Sequence, residues 1–237
     1  MYGHITRVKL KDQVVERLLQ IVDTNGLKPG DLLPTERELG ANLGVSRTVI
    51  REALHQLEAR GLIRIEHGRG AVIDTVNGRA FRDTIGLFFR FEPDSLWDLL
   101  EVRKPLEIEI AGLAAWRANE EDLREMRAAL EKMREDLDSP EGYVDADVEF
   151  HSLLARSARN KVLPMMIEPI TDLLLESRRI IGSRLMNARR ALQAHEAILE
   201  RVEKEDPEGA REEMRKHLMA TEQDFKTALE APIEERA

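Results

Sequence analysis

Residues 33–54 read LPTERELGANLGVSRTVIREAL, and this stretch decides the fold. Thr35-Glu36-Arg37-Glu38 has the form of a capping box, in which Thr35 and Glu38 satisfy each other's backbone donors and open a helix. Leu39 and Leu43 are its apolar anchors, and Gly44 stops it with a sharp turn. Ser46 then caps another helix, predicted over Arg47 to Arg60, with Val49, Ile50, Ala53, Leu54 and Leu57 on one buried face and Gly61 at its end. Upstream, Leu10, Val14, Leu18 and Ile21 recur at helical spacing and predict a helix over Lys9 to Asp23. Asn25-Gly26 ends it, and Lys28-Pro29-Gly30-Asp31 is a turn. Downstream, Leu62-Ile63-Arg64-Ile65 and Ala71-Val72-Ile73 are short β-rich runs flanking Glu66-His67-Gly68-Arg69-Gly70, a hairpin tip. Three helices with a tight glycine turn, then a hairpin, is the order of a winged helix-turn-helix.

The side chains at the turn suit nucleic acid. Ser46, Arg47, Thr48 and Arg51 lie in the first turn of the third helix, the end that enters a major groove. Arginine there forks onto guanine O6 and N7, and Ser or Thr bonds phosphate or base edges. A helix N-terminus favours phosphate on its own. The tip His67-Gly68-Arg69-Gly70 joins a donor, a cation and two permissive glycines, so its backbone can approach another backbone. Any one of Arg47, Arg51 and Arg69 alone reads equally well as a solvated surface cation. Together, on one turn, helix and wing, they read as a DNA-binding surface.

Beyond Asp74 the pattern changes. The organisation is a DNA-binding domain at 1–75, a short polar linker at 76–80, a helical domain at 81–231 and a tail at 232–237. Helices are predicted at 80–90, 95–118, 120–137, 140–158, 160–182, 187–204 and 207–229. Pro105, Pro164 and Pro169 fall inside helical patterns, where kinks or boundaries are open. The fold class is mainly α: the winged head followed by an all-helical antiparallel bundle.

Net charge is −9 over 237 residues, which looks hostile to DNA. It divides unevenly: residues 1–75 carry +1 and residues 76–237 carry −10. The acidity belongs to the helical part, and the asymmetry implies two tasks in one chain. There is no cysteine, which excludes disulfides, thiolate metal sites and thiol nucleophiles, and fits a reducing cytosol. No apolar run is long enough to span a bilayer, so no membrane partner is expected and the expected location is cytoplasmic.

Polar residues interrupt the apolar stripes of the helical part. Leu96, Leu99, Arg103, Leu106, Ile110 and Leu113 share a face, so Arg103 points inward. Glu107, one turn on, is its natural ion-pair partner. The competing reading is that Arg103 clamps a ligand carboxylate. Asp147 and His151 stand at i and i+4 on the stripe Val144, Asp147, His151, Leu154, Ala158. His195 lies on Leu192, His195, Leu199, Val202, and His217 on Ala210, Met214, His217, Thr221. A single inward histidine is more often a hydrogen-bonded core residue than a ligand. Three of the six histidines on such stripes, with one carboxylate, form a donor set suited to Zn2+, Mn2+, Ni2+ or Fe2+. On these residues alone, three readings stay open: a regulator sensing a small molecule, a regulator for which the ion is the signal, and a metal-dependent enzyme. No separate general base is evident for the last.

The run Leu33-Pro34-Thr35-Glu36-Arg37-Glu38-Leu39, then Leu43-Gly44-Val45-Ser46-Arg47-Thr48, Ile50-Arg51-Glu52-Ala53-Leu54 and Gly61-Leu62-Ile63, resembles the DNA-binding domain of GntR-family bacterial transcription regulators. The resemblance covers nearly all of residues 8–75. It implies that Arg37, Arg47, Thr48, Arg51, His67 and Gly68 contact the operator, and that a homodimer binds a palindromic site. With Thr35, Ser46 and Arg69 these complete the candidate DNA-binding set. The helical part resembles the FadR subfamily with an FCD effector domain, through Glu101-Val102-Arg103 with Leu106-Glu107, Asp147 with Phe150-His151 and Asn160, His195 with Ile198, and His217-Leu218. Metal-binding members use one Asp and three His, here Asp147, His151, His195 and His217, with zinc the first expectation. Arg103 is then the candidate effector contact. The implied function is a regulator, a repressor by the commoner arrangement, responding to a small organic acid or sugar acid. The fatty-acyl-binding branch lacks these ligands, so a long acyl-CoA effector is disfavoured.

Overall fold

The computed structural model describes residues 10–74, 79–92, 95–137, 139–181 and 188–230. The expected tail at 232–237, and residues 76–78 of the expected linker, lie outside them. The chain divides between Ala80 and Phe81 into two compact units.

The first unit holds α1 (Leu10–Thr24), α2 (Glu36–Leu43), α3 (Arg47–Ala59) and the antiparallel strands β1 (Ile63–Glu66) and β2 (Gly70–Ile73). The capping box at Thr35 forms: Glu38 N–H donates to Thr35 Oγ1 at 3.3 Å, and Thr35 N–H to Glu38 Oε2 at 2.9 Å. Such a cap contributes about 1 kcal/mol. Gly44 turns out of α2 at φ 66°, a left-handed conformation that a β-carbon would strain. Ser46 Oγ then accepts from Val49 N–H at 3.4 Å to start α3. Val14, Val15, Leu18, Leu39, Ile50, Leu54 and Leu57 make the core with Ile63 and Ile73 of the wing. One feature goes beyond the sequence reading. Leu32, assigned to no strand there, pairs with Val72, and Leu33 N–H donates to Ala71 O at 2.9 Å. The chain entering α2 is thus tied to the wing.

The second unit is α4 (Arg79–Phe91), α5 (Leu96–Arg117), α6 (Glu120–Glu135), α7 (Pro140–Ser157), α8 (Val162–Ile181), α9 (Ala188–Glu203) and α10 (Pro207–Glu230). Each begins and ends within two residues of its prediction. Helix α5 runs through Pro105 and α8 through Pro169. Pro164 falls in the first turn of α8, where a missing N–H costs no helical bond. Asn160 accepts from Val162 N–H at 3.0 Å and shortens the predicted start of α8 by two residues. Lys104 pairs with Glu222, and Glu109 with Arg211. Those pairs advance along α5 while receding along α10, so the two helices are antiparallel. The core is aliphatic and Met-rich, with Ile110, Met126, Met133, Leu154 and Met214 fully enclosed. No helix among the described residues is long and apolar enough to cross a membrane.

Candidate nucleic-acid interface and metal centre

In the first unit every candidate DNA contact is exposed: Thr35, Arg37, Ser46, Arg47, Thr48, Arg51, His67, Gly68 and Arg69. Helix α3 starts at Arg47, so Arg47, Thr48 and Arg51 surround its unsatisfied N–H groups, where helix polarity favours an anion. The arginines are not idle. Glu36 of α2 accepts a two-pronged bond from Arg51 at 2.9 and 2.8 Å and lies 3.7 Å from Arg47. Arg51 holds the Glu36 carboxyl below its ordinary value, against a smaller opposing effect of burial. In the wing, Glu66 accepts from Arg64 at 2.7 Å and from Arg69 at 2.9 Å. Gly68 and Gly70 take positive φ at the tip, 76° and 108°. Exposed ion pairs are worth at most about 1 kcal/mol, so phosphate or guanine can displace either glutamate. Thr35 Oγ1 donates to Glu38 Oε2 at 2.8 Å, so its proton is committed to the cap.

Sequence reasoning missed Glu36 and Glu66 as holders of these arginines. Glu36 and Arg51 lie fifteen positions apart on different helices, and no periodicity joins them. Glu66 was legible in principle, because Arg64 two residues away falls on the same face of its strand.

In the second unit four helices bring inward polar groups to one place. Arg103 and Glu107 come from α5, Asp147 and His151 from α7, His195 from α9 and His217 from α10. All six are at least nine-tenths buried. His195 Nε2 lies 3.2 Å from His151 Nε2 and 3.2 Å from His217 Nε2, and one nitrogen of each ring lies within 4.8 Å of the others. Asp147 Oδ1 stands at 3.6 Å from His195 Nε2, at the edge of this trio rather than inside it. Phe150 backs His195, ring centroids 4.8 Å apart.

Burial pushes the His195 imidazole down to about 3; Asp147 opposes the shift and His151 adds to it. The ring is therefore neutral at pH 7 and carries a lone pair, as a ligand must. Its Nδ1 is buried with no hydrogen-bond partner. Three convergent Nε2 atoms cannot all satisfy one another, because each neutral ring has a single N–H. A cation accepts all three lone pairs at once. Zn–N bonds of about 2.05 Å at the tetrahedral angle would set two imidazole nitrogens about 3.3 Å apart. The observed 3.2 Å separations fit that spacing, and the donor set fits a divalent ion.

Arg103 is engaged from within. Its Nε donates to Glu107 Oε1, and Nη2 lies 3.4 Å from His151 Nε2. Burial alone would raise the Glu107 carboxyl, but Arg103 and His151 together hold it well below the ordinary carboxylate range. The internal ion pair expected at i and i+4 is thus present. The proximity of Glu107 to His151 was not foreseen, since it depends on how α5 meets α7.

Residues 10–73 match the family described as bacterial regulatory proteins, gntR family, and residues 98–220 match the FCD domain. The uncharacterised HTH-type transcriptional regulator YcbG of Bacillus subtilis is 34% identical over 221 residues, covering 90% of this chain and 89% of its own. The putative L-lactate dehydrogenase operon regulatory protein of Escherichia coli is 31% identical, covering 89% of this chain and 84% of its own. The HTH-type transcriptional repressor NanR of E. coli is 28% identical, covering 90% and 83%. Among solved structures, Streptococcus agalactiae GntR superposes with a TM-score of 0.75 at 26% identity, over 90% of this chain and 99% of that one. These relatives are regulators, which removes the enzymatic reading that the donor set alone left open. The chain belongs to the GntR family of bacterial transcription regulators, with a DNA-binding winged helix-turn-helix followed by an FCD domain.

Proposed function

We propose that the protein is a cytoplasmic repressor whose operator affinity is set by a small carboxylate metabolite at a metal site in the helical unit. The convergence of three buried imidazole Nε2 atoms beside Arg103 carries this reading. Arg37, Arg47, Thr48, Arg51 and the wing tip His67, Gly68 and Arg69 are the proposed DNA contacts, with Thr35 and Ser46 at the helix starts. His151, His195 and His217 would hold a divalent ion, zinc first, with Asp147 as the fourth donor. Bound there, the ion would offer open coordination positions to a carboxylate or hydroxyl oxygen. Arg103 would take the remaining anionic charge of the effector.

A relative named for an L-lactate dehydrogenase operon supports a small organic acid as effector, and one named a repressor supports a repressing role. The acting form is proposed to be a homodimer on a palindromic operator. In support, Phe81, Leu87, Phe88 and Phe91 of α4 are all at least 40% exposed, a concentration of apolar surface that monomers rarely leave bare. The four helices meeting at the site are the element to be biased. Effector binding must favour one packing over another, or operator affinity cannot change. The linker expected at 76–80, of which Arg79 and Ala80 already belong to α4, would pass such a repacking on to the spacing of the two heads.

One observation favours a second reading, in which the ion itself is the signal. Arg103 is already neutralised by Glu107, so the site has no idle cation waiting for an acid. Metal analysis of the purified protein, with thermal stability against a panel of carboxylates, separates the two. Stabilisation by an acid only when metal is present supports the effector reading, since a ligand of the native state raises stability by mass action. A shift with metal alone, and none with any acid, supports the second.

A further inference from the structure

Glu107 faces both Arg103 and His151, and with Arg103 it fixes the tautomer of His151. Its Oε1 accepts from Arg103 Nε, while Oε2, buried and without an aligned hydrogen bond, lies 2.7 Å from His151 Nδ1. Across the same ring, Arg103 Nη2 lies 3.4 Å from His151 Nε2. A guanidinium can only donate, and an ionised carboxylate can only accept. One tautomer of His151 suits both neighbours: the proton on Nδ1 and the lone pair on Nε2. The side chains of Arg103, Glu107 and His151 are 2%, 2% and 3% exposed, so water does not compete for either edge.

We propose that Glu107 is a positioning residue for the metal centre, which holds His151 with Nδ1 protonated and cancels the charge of Arg103 beside the cluster. The inference rests on the metal reading above and assigns a role that the ligand set does not include. It acts in two ways. The carboxylate aims the Nε2 lone pair of His151 at the point where the three rings converge. It also keeps Arg103 from repelling a second cation a few ångströms away, a repulsion that low polarity would magnify. Asp147 approaches the cluster from another side, 3.6 Å from His195 Nε2. Carboxylates placed behind a ligating histidine typically contribute 10- to 100-fold in metal affinity.

The test is titration calorimetry with Zn2+ alone on the chelator-treated full chain, comparing wild type, Glu107→Gln, Glu107→Asp, His151→Ala and the double variant His151→Ala/Glu107→Gln. Glu107→Gln is expected to bind Zn2+ about 10- to 100-fold more weakly, and Glu107→Asp to recover most of the loss. In the His151→Ala background Glu107→Gln is expected to cost several-fold less than in wild type, because the positioned ring is gone and only the uncompensated charge of Arg103 remains; an equal cost in both backgrounds overturns the positioning role. Wild type and Glu107→Gln binding equally would overturn the positioning role and leave the metal reading intact. Wild type taking up no Zn2+ would overturn both. Nitrogen-15 NMR of the histidine rings in metal-free wild type needs no variant to fold: His151 protonated on Nδ1 is expected, and a ring protonated on Nε2 overturns the proposal.

Discussion

The two units place their charges in opposite settings. In the winged head, Arg47, Arg51 and Arg69 lie on the surface, each beside a glutamate that water and salt can replace. In the helical unit, Arg103, Glu107, Asp147 and three histidines are sealed among apolar side chains. The surface pairs keep cations in place yet release them at little cost, which suits a face that exchanges protein partners for phosphate. The buried group has no such freedom. Removing any member leaves another without a partner in a medium that punishes it. Perturbing the two should therefore give effects of different size and kind.

The largest effect is expected at Arg103. Arg103→Met keeps most of the volume but strands Glu107, and should cost about 3–5 kcal/mol in urea unfolding of the metal-free protein. A loss below 1 kcal/mol would show that Glu107 is solvated after all. Next is His195→Ala, which removes the ring at the centre of the trio and should lower Zn2+ affinity by more than about 100-fold while sparing nonspecific DNA binding. Unchanged metal uptake would return His195 to the role of a core residue.

Acid should discriminate as well. The folded-state value of His195 is depressed to about 3, so the unfolded chain binds a proton that the native chain does not. Stability of the metal-free protein is then fully present above about pH 6.5 and falls as pH drops toward 3, by up to about 1.4 kcal/mol per unit. Metal-free unfolding curves that are flat between pH 6.5 and 5 would contradict this burial. Smaller in energy, though decisive for function, is Arg47→Ala: specific operator affinity should fall by about 1–3 kcal/mol with metal content unchanged. Loss of metal in that variant would mean that the units are not independent. The smallest change belongs to Glu36→Ala, which should alter stability by less than about 1 kcal/mol while raising nonspecific DNA affinity at low salt. Unchanged DNA affinity would show that Glu36 does not restrain the arginines.

The contrast also explains what was legible beforehand. The head was readable because its signals are local: a capping box four residues long, a glycine at a left-handed turn, a serine cap. The inward histidines were readable because helical period places them on apolar faces. That they meet was not available from any one helix. Each stripe alone allowed a hydrogen-bonded core histidine; three of them with one carboxylate suggested a shared donor set, and the resemblance to FCD domains strengthened it. Contacts between distant elements stayed hidden, among them Glu36 with Arg51, Leu32 with Val72 and Glu107 with His151. No repeat or spacing records how α5 settles against α7, because side-chain packing decides it.

The central claim is that the buried cluster governs the exposed reading face. The most direct measurement is the Kd for an operator selected by the protein from random-sequence DNA, taken at one salt concentration with metal removed, with Zn2+ restored, and with Zn2+ plus small hydroxy acids and sugar acids. Wild type is predicted to change affinity by about tenfold or more between at least two of these conditions, and His195→Ala to show no change. Equal wild-type affinity in every condition would contradict the account.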